Sequence, residues 1–478
     1  MSTAQLQINA RANAVLLVGT ALTSAIVVGA LAAWDPRVAV AACAGVIAIP
    51  VAVLRPRLVV YLLLLTIFAS AFTVGGVTLN RLAAPLAVIA VISVLLQSRP
   101  RVQFSRLTLA AITGYAMLAL ASLAWTVNVG ATVNSLASLS ISLAYMGAFA
   151  LLVRDGGDVR TLFWVGAVCS IALGLWWAAS YALGVSRYAN AAGDPNFIAA
   201  LQVVALLMVL ALASHARTPA RRVSLYLAVA IIAGSIVATL SRGGLVALLV
   251  AVILIAVTPA SLLFGSRRRK FALMFSVAGG LALLLAFAWG DLSSRFAQGL
   301  NEPGVAAGRG DLDLAAIHGF QDHPVLGLGF GGFMPSSLGL LRTTPGVQLA
   351  VHLRCLAPNT AEYLRSAGTF CTGQPVHDAY IESLVELGIP GLLLFVGILG
   401  ATGVSLIRTA RRASQGGDPF IASTAVALAV GLAGLAVASF ALSTETSRAT
   451  WMIVGLSLAL PGMLPSPGSS RNHVSVRG

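Results

Sequence analysis

Charge is what this sequence lacks. Only 9% of its 478 residues are Asp, Glu, Lys or Arg, where a soluble chain carries about 25%. So few charges cannot cover a water-exposed surface, and a soluble enzyme is excluded. Acids are the scarcer sign, 15 against 30 basic residues, and lysine occurs once, at Lys270. Cysteine is limited to four residues. Cys43 and Cys169 fall inside apolar runs, and Cys355 and Cys371 stand too far apart for a Cys-x-x-Cys metal or redox motif. What the chain has in excess is apolar: 58% hydrophobic residues and a mean hydropathy of +0.92.

Apolar runs cover about 12–33, 38–54, 58–75, 82–97, 107–125, 132–153, 161–183, 196–214, 222–240, 243–264, 271–290, 379–407, 420–440 and 448–464. Their lengths suit helices crossing a bilayer. The expected fold is an all-α polytopic membrane protein with about fourteen transmembrane helices and one long extracytoplasmic loop. Its parts are N-terminal spans in 1–290, the loop in 291–378, C-terminal spans in 379–464 and a disordered cytoplasmic tail in 465–478. The first run has no trusted cleavage site and reads as a retained helix rather than a signal peptide.

The net charge of +15 does not point to nucleic acid, because the basic residues cluster in alternate loops. With the N-terminus in the cytoplasm, the inside loops hold 20 of the 30, among them Arg55, Arg57, Arg217, Arg221, Arg222, Arg267, Arg268, Arg269 and Lys270. Each short outside loop holds at most one: Arg37, Arg81, Arg187, Arg242 or Arg448. This is the positive-inside bias. Segment 291–378 then faces the periplasm or exterior, where Cys355 and Cys371 are able to pair. The bridge would close 17 residues for about 3 kcal/mol; two free thiols are the other reading.

Most acids, and His318, His323, His352 and His377, fall on the outside half. Three stretches there carry candidate chemistry. Leu240-Ser241-Arg242-Gly243-Gly244 is a one-arginine hinge between apolar runs, either a ligand-approach turn or a snorkelling anchor. Gly308-Arg309-Gly310-Asp311 begins an amphipathic helix expected to reach Phe320, followed by Asp322-His323-Pro324 and a glycine-rich, strand-like exit through Gly331. Arg309 is read there as an anion ligand or as a solvated loop charge. The third stretch runs from Pro375 to Gly391 and leads from the outer segment into the twelfth span. His377 stands at a helix N-terminus, which favours an anion. Asp378, Glu382 and Glu386 follow on one face, and Pro390 frees the carbonyl of Glu386 and kinks the span. Arginine forks match phosphate oxygens, and a neutral histidine can accept a proton from a hydroxyl. The combination suits transfer from an anionic, lipid-anchored donor.

These residues resemble the bacterial O-antigen ligase family, which includes O-antigen polymerases and protein-glycosylating ligases. The ligase pattern is a histidine, a small polar residue, nine residues and Gly-x-x-Gly, which His377, Asp378, Ala379 through Leu387, Gly388 and Gly391 fit. The departure is Asp378, where the family usually has Asn, Ser or Gln. Ser241-Arg242-Gly243, Asp194-Pro195-Asn196, Arg309 and His323 through Gly331 follow the family in order and spacing, over roughly 190–400. The resemblance implies a glycosyltransferase-C-like fold and a metal-independent, inverting transfer without cofactor. In it, a glycan passes from a polyprenyl diphosphate such as undecaprenyl diphosphate to a glycan, lipid or protein acceptor. It assigns Arg242 and Arg309 to the diphosphate and His377 to the acceptor or the leaving group. Asp194, Asn196, His323, Asp378 and Glu386 are its further substrate-side candidates. The competing class is a membrane transporter or lipid-glycan flippase, which needs charges near the bilayer midplane and paired interrupted helices. A metal-dependent transferase would draw on Asp311 or Asp313.

Overall fold

The computed structural model describes residues 48–74, 76–97, 105–185, 193–264, 266–294, 307–347 and 373–464. Cys355 and Cys371, the first apolar run and the C-terminal tail lie outside them. In chain order the elements are α1 (Pro56–Phe68), the antiparallel pair β1 (Thr73–Val74) and β2 (Val77–Thr78), α2 (Leu79–Gln97), α3 (Arg106–Ala121), α4 (Val129–Leu152), α5 (Gly156–Ala182), α6 (Pro195–Ser214), α7 (Pro219–Ala238) and α8 (Arg242–Val257). There follow α9 (Ala260–Leu263), α10 (Arg267–Phe287), α11 (Ala307–Asp322), α12 (Phe333–Thr343), α13 (Ala379–Gln415), α14 (Pro419–Ala438) and α15 (Arg448–Ala459).

Helix starts follow local sequence. Ser105, Asn128, Asp155, Asp194, Thr218, Ser241, Asp378 and Asp418 each stand before an apolar run and accept a backbone N–H of the first turn. Pro195, Pro219 and Pro419 follow three of these caps at the first helical position, where a missing N–H costs nothing. Among the described residues, eight helices are long and apolar enough to cross a membrane, so the protein is an all-α polytopic membrane protein. Three runs differ from expectation. The 58–75 run stops at Phe68 and turns into the hairpin; the 243–264 run breaks at Thr258-Pro259; and α13 continues to Gln415.

Packing sorts the helices into a centre and a rim. Nearly every residue of α6 and most of α14 are buried. Gly434 of α14 lies where a Cβ would come 3.1 Å from Val203 of α6, and Gly244 of α8 where it would come 2.3 Å from Ala199. Close backbone approach through small residues is how helices associate where lipid removes the hydrophobic drive. Rim helices leave Leu96, Leu107 and Val257 exposed, as lipid-facing residues would be. Several polar groups within the bundle are paired. Tyr145 shares a 2.6 Å bond with Thr66 and reaches Asn80, and Ser170 donates to Gln202.

Loop contacts fall into two sets, one at each end of the bundle. At one end Arg57 pairs with Asp155 and Asp158 (3.4 and 3.2 Å), Arg160 stacks on Phe420, and Arg221 stacks on Trp164. At the other, Ala379 N–H donates to the Leu442 carbonyl, Ser142 to that of Thr446 and Val127 N–H to that of Leu328. All three candidate stretches belong to the second end.

Candidate functional site

Among the apolar helices that start at this second end, α6, α8 and α13 are capped by Asp194, Ser241 and Asp378, the last two within candidate stretches. Asp194 caps α6 through bonds of 2.7 and 3.0 Å from the N–H groups of Asn196 and Phe197. Ser241 caps α8, accepting from Gly244 N–H at 3.0 Å, and its hydroxyl donates to Asn196 Oδ1 at 2.7 Å. Asn196 is thus the bolt between the starts of α6 and α8, and Arg242 follows directly as the first residue of α8. Asp378 caps α13 through the N–H groups of Tyr380 and Ile381 at 2.9 and 3.0 Å. The positive ends of three helix dipoles therefore gather here, a field that favours an anion.

His377 precedes the third cap with φ of 62°, a left-handed conformation uncommon outside glycine. Such strain persists only where the surroundings over-determine it. The surroundings are visible on both sides: Val376 is buried, and Gln374 N–H bonds Ser337 of α12 at 3.0 Å. The imidazole is held below its ordinary pKa by burial and by the neighbouring Arg309 guanidinium, with Asp194 pulling the other way. The balance favours the neutral imidazole. Arg309 lies in the first turn of α11, whose Leu312, Ala315 and Ala316 are buried in a cluster with Val376, Val385 and Phe333. Arg309, His377 and Asp194 accordingly form one electrostatic neighbourhood, assembled from α11, the approach to α13 and the start of α6.

Glu386 has a different task. The break in α13 falls at Gly388, with φ 67° and ψ −167°, two residues before Pro390. The freed main chain is taken up by the turn after α11. Leu328 and Gly329 N–H donate to the carbonyls of Val385 and Glu386 at 2.9 Å each, and Ile389 N–H donates to Pro324. The Glu386 carboxylate then holds Gly331 N–H at 2.7 Å and Phe333 N–H at 3.3 Å. Ser122 and Trp125 bind the same turn from the end of α3, at Phe330 N–H and the Leu326 carbonyl. The expected strand-like exit is instead a clasp of turns, exposed at Pro324 to Leu326 and buried from Gly327 to Phe330. It needs glycine at 327, 329 and 331 because φ is positive at each and a Cβ would meet another segment of the chain within 2.6 Å. A strand would have left the broken helix unsatisfied. The run is a seal between segments rather than a phosphate loop.

The remaining candidates are placed as follows. His323 is exposed, and its main chain joins the clasp through N–H to Phe320 and carbonyl to Gly327. Glu382 accepts from Ser443, so the acidic series on α13 divides among a cap, a hydroxyl and the clasp. Asp311 is buried and Asp313 half-buried. They lie two apart on α11 and so face different ways. Among the described residues no group of three or more His, Cys, Asp or Glu side chains is placed to hold a metal. A groove of about 660 Å³ runs between α8, α13 and α14 from Tyr380 at the site end to Arg411 at the other, lined by Leu254, Val396, Leu399 and Ala436 among others.

Residues 227–396 match the O-antigen ligase family. No curated protein matches the chain. The matched region contains Arg242, Arg309, His377 and the whole clasp. Asp194 and Asn196 lie outside it, and the structure carries them to the same place through the Ser241 bond.

Proposed function

We propose that the chain, whose residues 227–396 match the O-antigen ligase family, belongs to that family and is a bacterial inner-membrane glycan ligase or polymerase working at the extracytoplasmic face. Its donor is a glycan on a polyprenyl diphosphate, and its acceptor carries a free hydroxyl. The reading is carried by one observation: His377 and the guanidinium of Arg309 are electrostatic neighbours at the capped start of a membrane-spanning helix.

The diphosphate needs fixed positive charge, which Arg309 supplies together with Arg242 at the adjoining start of α8. Charge builds on the leaving oxygen as the glycosidic bond to phosphate breaks, and preorganised donors aimed there lower the barrier. His377, uncharged, is suited to hydrogen-bond the incoming hydroxyl or the departing phosphate oxygen. The isoprenoid tail fits the apolar groove beside Tyr380. The anomeric centre inverts in one displacement, with no metal required.

The test is transfer from a purified polyprenyl-diphosphate glycan with and without chelator. Arg242→Ala, Arg309→Ala and His377→Ala should each lower turnover at least about 100-fold while the protein inserts normally, and chelator should change nothing. Full activity in all three variants would remove the site assignment. Substrate transport into sealed vesicles without a new glycosidic bond would favour the carrier class instead.

A further inference from the structure

One acid at the site has no part in the foregoing. Asp313 stands four residues after Arg309 on α11 and shares its face, at the edge of the buried stripe of Leu312, Ala315 and Ala316. The neighbouring carboxylates are committed: Asp194 and Asp378 to caps, Glu382 to Ser443, Glu386 to the clasp. Among the described residues no hydrogen bond occupies the Asp313 carboxylate. Its charged neighbours are Asp378 and Arg309, and Arg309 is equally the neighbour of His377. A carboxylate and an imidazole therefore share one guanidinium.

We propose that Asp313 is the general base of the transfer, receiving the proton of the acceptor hydroxyl. This rests on the glycan-transfer reading. As the acceptor oxygen bonds the anomeric carbon, its proton passes to an Asp313 oxygen. The bond from the anomeric carbon to phosphate breaks, and its electron pair leaves on the polyprenyl diphosphate against Arg309. Proton and leaving charge thus go to two groups one helical turn apart.

The electrostatics favour Asp313 over His377 as the proton's destination. Burial and Arg309 both oppose an imidazolium at His377. At Asp313, burial and the like charge of Asp378 both favour the protonated form, Arg309 opposes it, and the balance pushes the pKa up to about 6. The other charges on helices packed against α11 are Glu382 and Glu386 on α13, both engaged, Arg408, Arg411 and Arg412 at the opposite end of α13, and Arg342, exposed near the far end of α12. A base of that strength is half-ionised near pH 6 and almost fully ionised at pH 7.5. The transfer rate should therefore rise with pH through about 6 and then level.

The experiment uses full-length protein in nanodiscs, a purified polyprenyl-diphosphate glycan and a hydroxyl acceptor. Asp313→Asn should bind donor within about threefold of the parent protein, lower kcat about 100-fold or more, and lose the rising limb near pH 6. Formate should restore part of the rate to Asp313→Ala. The proposal is overturned if Asp313→Asn keeps a third of the activity, keeps the limb, or loses donor binding in parallel with turnover. Should Arg309→Ala and His377→Ala be inactive while Asp313→Asn is active, only this inference falls. Should the parent protein form no glycosidic product, the glycan-transfer reading falls with it.

Discussion

Position 378 shows how one side chain answers to two demands. The residue after the histidine must cap α13, and Asn, Ser and Asp all do so, which accounts for an acid where the family usually has Asn, Ser or Gln. The acid adds a charge that a neutral cap lacks, and the charge falls beside Asp313. Two outcomes follow from separating cap from charge. Asp378→Asn keeps the Oδ1 that accepts both N–H groups and should leave stability within about 0.5 kcal/mol, whereas Asp378→Ala should cost about 1 kcal/mol, both read from thermal unfolding in detergent. The sign of the electrostatic effect is fixed as well. Removing a neighbouring negative charge makes Asp313 easier to ionise, so the rising limb of the rate profile should move to lower pH in Asp378→Asn.

At the scale of elements, the clasp between the 324–333 turn and the break in α13 is the joint on which the site depends. A helix broken at membrane depth must have its main-chain groups satisfied by protein, and here Pro324, Leu328 and Gly329 satisfy them. A Cβ at Gly388 would come 2.1 Å from the Val325 carbonyl, and one at Gly327 2.4 Å from Glu386. Gly388→Ala and Gly327→Ala should each destabilise by about 2–3 kcal/mol. Gly76 also has positive φ but open space around it, so Gly76→Ala should cost about 1 kcal/mol or less. Comparing the three melting temperatures separates the clash from the backbone strain. This joint also marks where sequence reading stops. The break was legible from Pro390 and the apolar spans from their runs, because both are local signals. Arg242, Arg309 and His377 stood out as lone charges beside glycines or a helix start. The partners were not legible: Glu386 meets Gly331 across 55 residues, and Ser241 meets Asn196 across 45. Neither pairing leaves a periodic trace in the chain. Asp313 was visible only as a metal ligand candidate, since what distinguishes it is the company of Asp378 from another helix.

For the whole molecule, the two sets of end contacts agree in kind with the charge alternation along the chain. Arginines paired with acids or stacked on aromatic rings occupy one end, and His377, Arg309, Asp313 and the Asp194, Ser241 and Asp378 caps the other. If the second end is extracytoplasmic, a cysteine replacing the exposed Leu314 should react with a membrane-impermeant maleimide added outside intact cells, in a background without native cysteines. One replacing Arg412 should react only after permeabilisation. The reverse pattern would leave the proposed donor on the wrong side of the bilayer.

The seal over the interrupted helix has a further bearing on turnover. Lifting the α11 turn would strip several backbone partners at once from a segment that lipid cannot solvate. That layer therefore cannot swing aside like a hinged cover between catalytic cycles. On the proposed function, spent carrier would leave sideways into the bilayer, past Tyr380, while the layer above stays seated.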